Sequence, residues 1–255
     1  MAFLWHAALN LCTFFEIKMK TALCFTGTCR SLEYTYENIR RHLLETIEAD
    51  IFLLIADNPH AHKVHEYFTL PQTKKLIVEA EPDYDLTGLQ FRAGWPPPTT
   101  TTQIYYKMIK SRQRCDEILK TYEEEVGEEY ERVIFSRLDV KYFNDVGTLI
   151  EKIDLNNLYV PDFHNTFGGA INGYNDRFAV SNRKNMHIYF DAVESAHPFV
   201  DSGQTITAET LLKWHLLNSQ VNVMHVPVRF TRVRPDGSEI DERLKNFQPG
   251  THRDS

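Results

Sequence analysis

The sequence predicts an α/β layered fold, a mostly parallel central sheet flanked by helices, and three observations carry that prediction. Between residues 20 and 80, strand-like and helix-like patterns alternate as β-α-β-α-β, the order that a parallel sheet with right-handed crossovers requires. The run from Asp50 to Ala56 is apolar without interruption after its first residue, as a central strand covered on both faces should be. The run from Arg132 to Val140 begins apolar and ends in charge, and such strand ends are where open α/β sheets bind ligands.

Taken in order, residues 20 to 26 form a buried strand that turns at Gly27, and a helix follows from about Leu32 to Glu48. The second strand, Asp50 to Ala56, is closed by Asp57-Asn58-Pro59. A short helix, Ala61 to Phe68, leads to a third strand, Lys75 to Ala80. Residues 81 to 102, with Gly94, three consecutive prolines and a threonine run, break the periodicity and predict an exposed loop able to act as a lid. Helical spacing resumes from Gln103 to Glu124, and the strand Arg132 to Val140 follows. Beyond it come a short strand at Leu158 to Val160 and a glycine-rich stretch, TFGGAINGYNDRFAVS, that runs into a strand. Helices at Arg183 to Ser195 and Thr207 to Leu217 precede a last strand, Val221 to Val226.

Length and composition suit one globular domain, assigned to residues 19 to 234, with 1 to 18 as an N-terminal extension and 235 to 255 as a polar tail. A net charge of -7 argues against a nucleic-acid backbone as the main partner, since such proteins present a basic face. The cysteines, Cys12, Cys24, Cys29 and Cys115, have neither zinc-site spacing nor the density of a disulfide scaffold, which fits a reducing compartment. Residues 1 to 18 are apolar but lack a basic n-region, and Met19 stands directly before the first strand. The expected location is cytoplasmic, or the secretory pathway if residues 1 to 18 act as a signal or anchor. No other segment approaches the roughly 20 apolar residues of a membrane span.

The segment SRLDV places Ser136, Arg137 and Asp139 at the charged end of an apolar strand. A carboxylate there is costly unless it is paired with a cation or bound to a metal, so Asp139 is either Arg137's partner or a hard oxygen ligand for Mg or Mn. The loop TGTCRS offers backbone amides before a helix together with Arg30, a combination suited to an anion, or else it is a plain strand-to-helix turn. Gly168, Gly169 and Gly173 permit close backbone approach or positive φ. Asp176 and Arg177 stand just before an apolar strand, as a sugar-hydroxyl ligand or as a structural pair. Thr207 is positioned to cap a helix whose first turn holds Glu209. Gln103, Lys107 and Lys110 share a helix face, facing a nucleotide or solvent, and Arg229, Arg232 and Arg234 form a basic group after the last strand. His225 lies in that strand, as a core residue or a ligand, whereas His60, His62 and His65 read as surface.

This order of a strand-end acidic motif, a glycine-rich loop, an acidic helix start and a late histidine resembles the GT-A glycosyltransferase core, and within it a viral and algal branch. The resemblance spans roughly residues 20 to 230. It implies a glycosyltransferase moving a sugar from a nucleotide-diphosphate donor to the hydroxyl of a glycan or glycoprotein. The last Asp of the family's DxD motif falls on Asp139, but Arg137 occupies the place of the first. Implied roles are a manganese or magnesium site from Asp139 and His225, and donor contacts from Thr26, Gly27, Thr28, Arg30, Arg137, Gly168 and Gly169. Glu209 is implied as catalytic base, with Asp176 second. Two alternatives remain at this stage: a nucleotidyltransferase of sugar phosphates, for which TGTCRS is a poor loop, and a noncatalytic nucleotide- or carbohydrate-binding protein.

Overall fold

A computed structural model describes residues 19–93, 101–163, 166, 167 and 171–240, with the backbone alone at 166, 167, 171 and 172. Four parallel strands form one half of the sheet: β1 (Thr21–Gly27), β2 (Asp50–Ala56), β3 (Thr73–Glu79) and β4 (Arg132–Arg137). Between them run α1 (Leu32–Ile39), continued by a wider π turn through Leu44, then α2 (Lys63–Phe68) and the long α3 (Thr102–Val126). The chain then makes β5 (Val140–Tyr142), α4 (Val146–Ile150), β6 (Leu158–Pro161), the small β7 (Thr166–Phe167) and β8 (Ile171–Asn172) ribbon, and β9 (Phe178–Asn182). It ends with α5 (Arg183–Phe190), a 3-10 turn, α6 (Ala196–Asp201), α7 (Ala208–Asn218), β10 (Val223–Val226) and β11 (Phe230–Arg232).

The seven-stranded sheet has the order β10-β6-β9-β4-β1-β2-β3, and β9 alone runs against its neighbours. The fold is therefore α/β with a mostly parallel central sheet flanked by helices. Side chains alternate across it: Leu23 and Phe25 of β1 face α1, α2 and α4, whereas Ala22 and Cys24 face α3, α5 and α7. Burial on both faces explains the unbroken apolar run in β2, whose predicted bounds match the observed strand. A third apolar cluster joins the start of α3, through Tyr105 and Ile109, to Ile206, Ala208 and Leu211 at the start of α7.

Several boundaries differ from the sequence reading. The strand expected to reach Val140 leaves the sheet after Arg137, and Val140–Tyr142 pairs instead with β11 in a separate ribbon. Asp139 thus lies in the link between β4 and β5 and not on the sheet. The helix expected from Leu32 to Glu48 loses α-helical pitch at Arg40. Of the expected lid, residues 81–93 are irregular, and Gln90 to Arg92 is tied to Ile206 by two backbone hydrogen bonds of 2.8 and 3.2 Å. Residues 94–100 lie outside the described residues, and Thr101 and Thr102 already cap and begin α3. Among the described residues no helix is long and apolar enough to cross a membrane.

Candidate functional site

Parallel β1 and β4 end side by side, with Thr26 opposite Arg137. Because β9 is antiparallel to β4 and begins opposite Ser136, the residues leading into it, Asn175 to Arg177, arrive at the same sheet edge. Asn175 fixes that approach: its carbonyl accepts from the Arg177 amide at 3.1 Å and its amide donates to the Phe163 carbonyl at 3.0 Å. The start of α7 is drawn in next to it. Gly173 meets the backbone of Glu209 so closely that a Cβ there would lie 2.6 Å from the Glu209 Cβ, and the Tyr174 amide donates to the Glu209 carbonyl at 3.0 Å. Gly173 is therefore required for close approach to a helix. Thr207 and Thr210 cap that helix reciprocally, which orients its first turn.

The result is a buried cluster of ions. Arg177 Nη2 lies 3.4 Å from Glu209 Oε1, Arg112 of α3 lies 3.8 Å from Asp176, and Arg137 forks onto Asp139 at 2.8 and 2.6 Å. Arg112, Asp176, Arg177 and Glu209 are each at most 5% exposed. Burial at this depth demands partners, yet Arg177 Nε, Arg177 Nη1 and Glu209 Oε2 have no hydrogen-bond partner among the described residues. These atoms retain capacity for an anion's oxygens and for a proton.

The two inner carboxylates are pushed in opposite directions. Burial alone would raise Asp176, but Arg112, Arg177, Arg137 and Arg232 hold it below the usual aspartate value. Glu209 is raised by its burial and by the Asp176 charge, against the opposing pull of Arg177 and Arg232. Asp139, despite partial burial, is also held low, chiefly by Arg137. Carboxyls separated in this way suit one permanent charge and one proton acceptor.

Beside this cluster, over the ends of β2 and β3, opens a small cleft, partly open to solvent, lined by Leu54, Ile55, Ala56, Glu79, Glu81, Pro82, Tyr84, Ser111 and Arg114. Ser111 Oγ lies 3.3 Å from Thr26 Oγ1 and so joins the cleft to the end of β1, while the next residue, Arg112, enters the ion cluster.

The structure gathers Thr26, Gly27, Arg137, Asp139, Asp176 and Glu209 at one edge. Gly27, at φ 111° with open space around it, makes the turn that starts the loop. Thr28 and Arg30 sit exposed in that loop, Arg30 Nε donating to Thr28 Oγ1 at 3.3 Å. Gly168 and Gly169 lie outside the described residues. Gln103 and Lys107, expected as nucleotide contacts, lie beside the cleft. Gln103 hydrogen bonds both backbone groups of Tyr84, and Lys107 holds Asp83 and the Glu81 carbonyl, so both brace the 81–84 segment that walls the cleft.

The pairing of Asp139 with His225 is not made. His225 is exposed on the edge strand β10, three strand spacings from β4 or roughly 14 Å. Among the described residues no three His, Cys, Asp or Glu side chains form a metal-binding group. The basic group after the last strand also divides: the charge of Arg232 reaches Asp139, Asp176 and Glu209, Arg229 pairs with Asp162, and Arg234 is exposed. Arg112 and Asn175 were missed. The legible sign for Arg112 was its spacing, since it falls on the stripe of α3 that carries Ile109, Cys115 and Leu119 into the interior.

No curated protein matches this chain. The model of the family described as Domain of unknown function (DUF7796) matches residues 16–236. That match takes in every element of the sheet and the whole ion cluster, and the protein belongs to the DUF7796 family.

Proposed function

We propose that the protein is a GT-A type glycosyltransferase that transfers a sugar from a nucleotide diphosphate to an acceptor hydroxyl. The observation that carries this reading is the arginine-rich cluster at the C-terminal ends of β1 and β4, where buried Arg177 donors and one Glu209 oxygen have no hydrogen-bond partner among the described residues. Arg112, Arg137, Arg177 and Arg232 outnumber Asp139, Asp176 and Glu209 by one charge, which favours an anion such as a diphosphate. The raised carboxyl of Glu209 makes it a better proton acceptor than an ordinary glutamate.

In the proposed reaction the acceptor oxygen bonds to the anomeric carbon as the bond from that carbon to the diphosphate oxygen breaks. The hydroxyl proton passes to Glu209 Oε2, and the electron pair leaves with the nucleoside diphosphate. Arg177 and Arg137 stabilise the charge that builds on the leaving group. The donor set expected for a divalent ion does not fit, because both Asp139 oxygens are taken by Arg137 and His225 is remote, so no step is assigned to a metal.

The test is release of nucleoside diphosphate from a panel of nucleotide sugars, with water or simple glycosides as acceptor. Glu209→Gln should lower kcat about 10²- to 10⁴-fold with KM for the donor little changed. Turnover that survives Glu209→Gln, or no turnover of any nucleotide sugar by the folded protein, would refute the proposal.

A further inference from the structure

We infer that the cleft over β2 and β3 seats a base with two adjacent N–H donors, the chemistry of guanine, so that the donor is a guanosine diphosphate sugar. This inference rests on the nucleotide-sugar reading and specifies its substrate.

Position comes first. Leu54 and Ile55, which line the cleft, are the register partners of Thr26 and Gly27, so it begins one strand spacing, about 5 Å, from the end of β1. Arg137 lies one strand further on, opposite Thr26. A base in the cleft would therefore place its diphosphate within reach of the arginine cluster. The walls are apolar on one side, and Tyr84 supplies a ring, held edge-on by Tyr106 at 5.3 Å and through its backbone by Gln103. Flat apolar surface with an aromatic side chain suits a heterocycle.

Selectivity comes from the carboxylates. Glu79 is held by Arg114 at 3.1 Å. The Glu81 side chain, half-buried, has no ion pair or hydrogen bond among the described residues, since Lys107 takes the Glu81 backbone carbonyl and the Asp83 carboxylate. Burial pushes the Glu81 carboxyl up, against the opposing pull of the Lys107 charge. A carboxylate offers two parallel acceptors. Guanine answers with N1–H and the adjacent amino group, whereas uracil has one N–H between two carbonyl oxygens that would face the carboxylate. Cytosine and adenine each present one amino group beside an acceptor nitrogen. A bidentate pair of this kind separates right from wrong base by about 10- to 100-fold.

Calorimetric titration of the full chain with GDP, UDP, CDP and ADP tests the inference, with Glu81→Gln and Arg137→Met alongside. Glu81→Gln is isosteric at a half-exposed position, and an unchanged melting temperature confirms its fold. The expected result is GDP at least tenfold tighter than the others, with the ratio of GDP to UDP falling within threefold in Glu81→Gln. Equal affinities for all four, or a GDP preference that survives Glu81→Gln, would overturn the base assignment. If Arg137→Met then weakened all four alike, the diphosphate reading would stand alone. Binding of none of the four would overturn both.

Discussion

Gly173→Ala tests whether the approach of the β8–β9 link to α7 sets the geometry of Glu209, the proposed catalytic base. The added Cβ would sit 2.6 Å from the Glu209 Cβ, 2.7 Å from its carbonyl carbon and 2.8 Å from its carbonyl oxygen. Carbon atoms in contact prefer about 3.5–4.0 Å, so the two segments must separate by about 1 Å. Two of the three obstructing atoms are backbone, and no rotamer change relieves them. Overpacking of this size costs about 1–3 kcal/mol, a fall in melting temperature of about 2–12 °C for a chain of this length. A shift of 1 Å at Glu209 should also lower kcat about 100-fold in the molecules that remain folded. Gly147→Ala is the control. Its Cβ would meet the Thr46 carbonyl oxygen at 2.0 Å, between α4 and the turn after α1, remote from the ion cluster. It should destabilise at least as much while leaving kcat per folded molecule within about threefold. The assay is sugar transfer normalised to the folded fraction from a urea melt. Equal loss of kcat in both variants, or wild-type kcat in Gly173→Ala, would refute the reasoning.

The other predictions concern charge and capping. Asp176 and Glu209 should give opposite pH dependences of stability. Glu209, raised in the fold, contributes stability below its unfolded value near 4.5 that is lost as pH rises through its folded value, so Glu209→Gln should raise the melting temperature at pH 7. Asp176, lowered in the fold, contributes stability above its unfolded value near 3.8 that is lost as pH falls through its lower folded value, so Asp176→Asn should lower the melting temperature at pH 7. The acid limb of kcat/KM should lie above pH 4.5, and Glu209→Gln should abolish it. Arg112→Met leaves Asp176 buried with one fewer cation and should cost about 3 kcal/mol in a denaturant melt. Thr207→Ala removes the cap of α7 and should cost about 1 kcal/mol in the same melt.

The sequence was most legible where one periodicity ruled. The continuous apolar run of β2 and the amphipathic stripe of α3 each have a single physical reading, and both were found. The ribbon of β5 and β11 was not, because three-residue strands far apart in sequence leave no periodicity, and their pairing depends on the chain having already turned at Asp139. At the site, the sequence supplied Asp176 and Glu209 as separate candidates 33 positions apart. Nothing in either motif shows that Gly173 holds them together, because the contact it makes is with Glu209, on an element not yet folded when the sequence is read. Arg112 was hidden for a related reason. A lone arginine in a helix normally lies on the solvated side; the spacing of Arg112 sets it on the buried stripe of α3, but only the fold brings Asp176 against it.

An arginine at position 137 sets how this edge handles charge. With aspartates at both 137 and 139, the strand end would repel a diphosphate until a cation neutralised it. With Arg137 forked onto Asp139, the edge carries its own counter-charge, and Asp139 serves to hold that guanidinium in place. Arg137 is pushed above the ordinary arginine value by Asp139, Asp176 and Glu209 in spite of burial, so it stays charged at every working pH. A bound diphosphate would then compete with Asp139 for one face of the guanidinium while Arg177 supplies its free donors. On the proposed reading, the affinity of this edge for a nucleotide diphosphate would be a difference between two ion pairs, one internal and one with the ligand. Removing the internal partner should tighten nucleotide binding even as it loosens the position of Arg137.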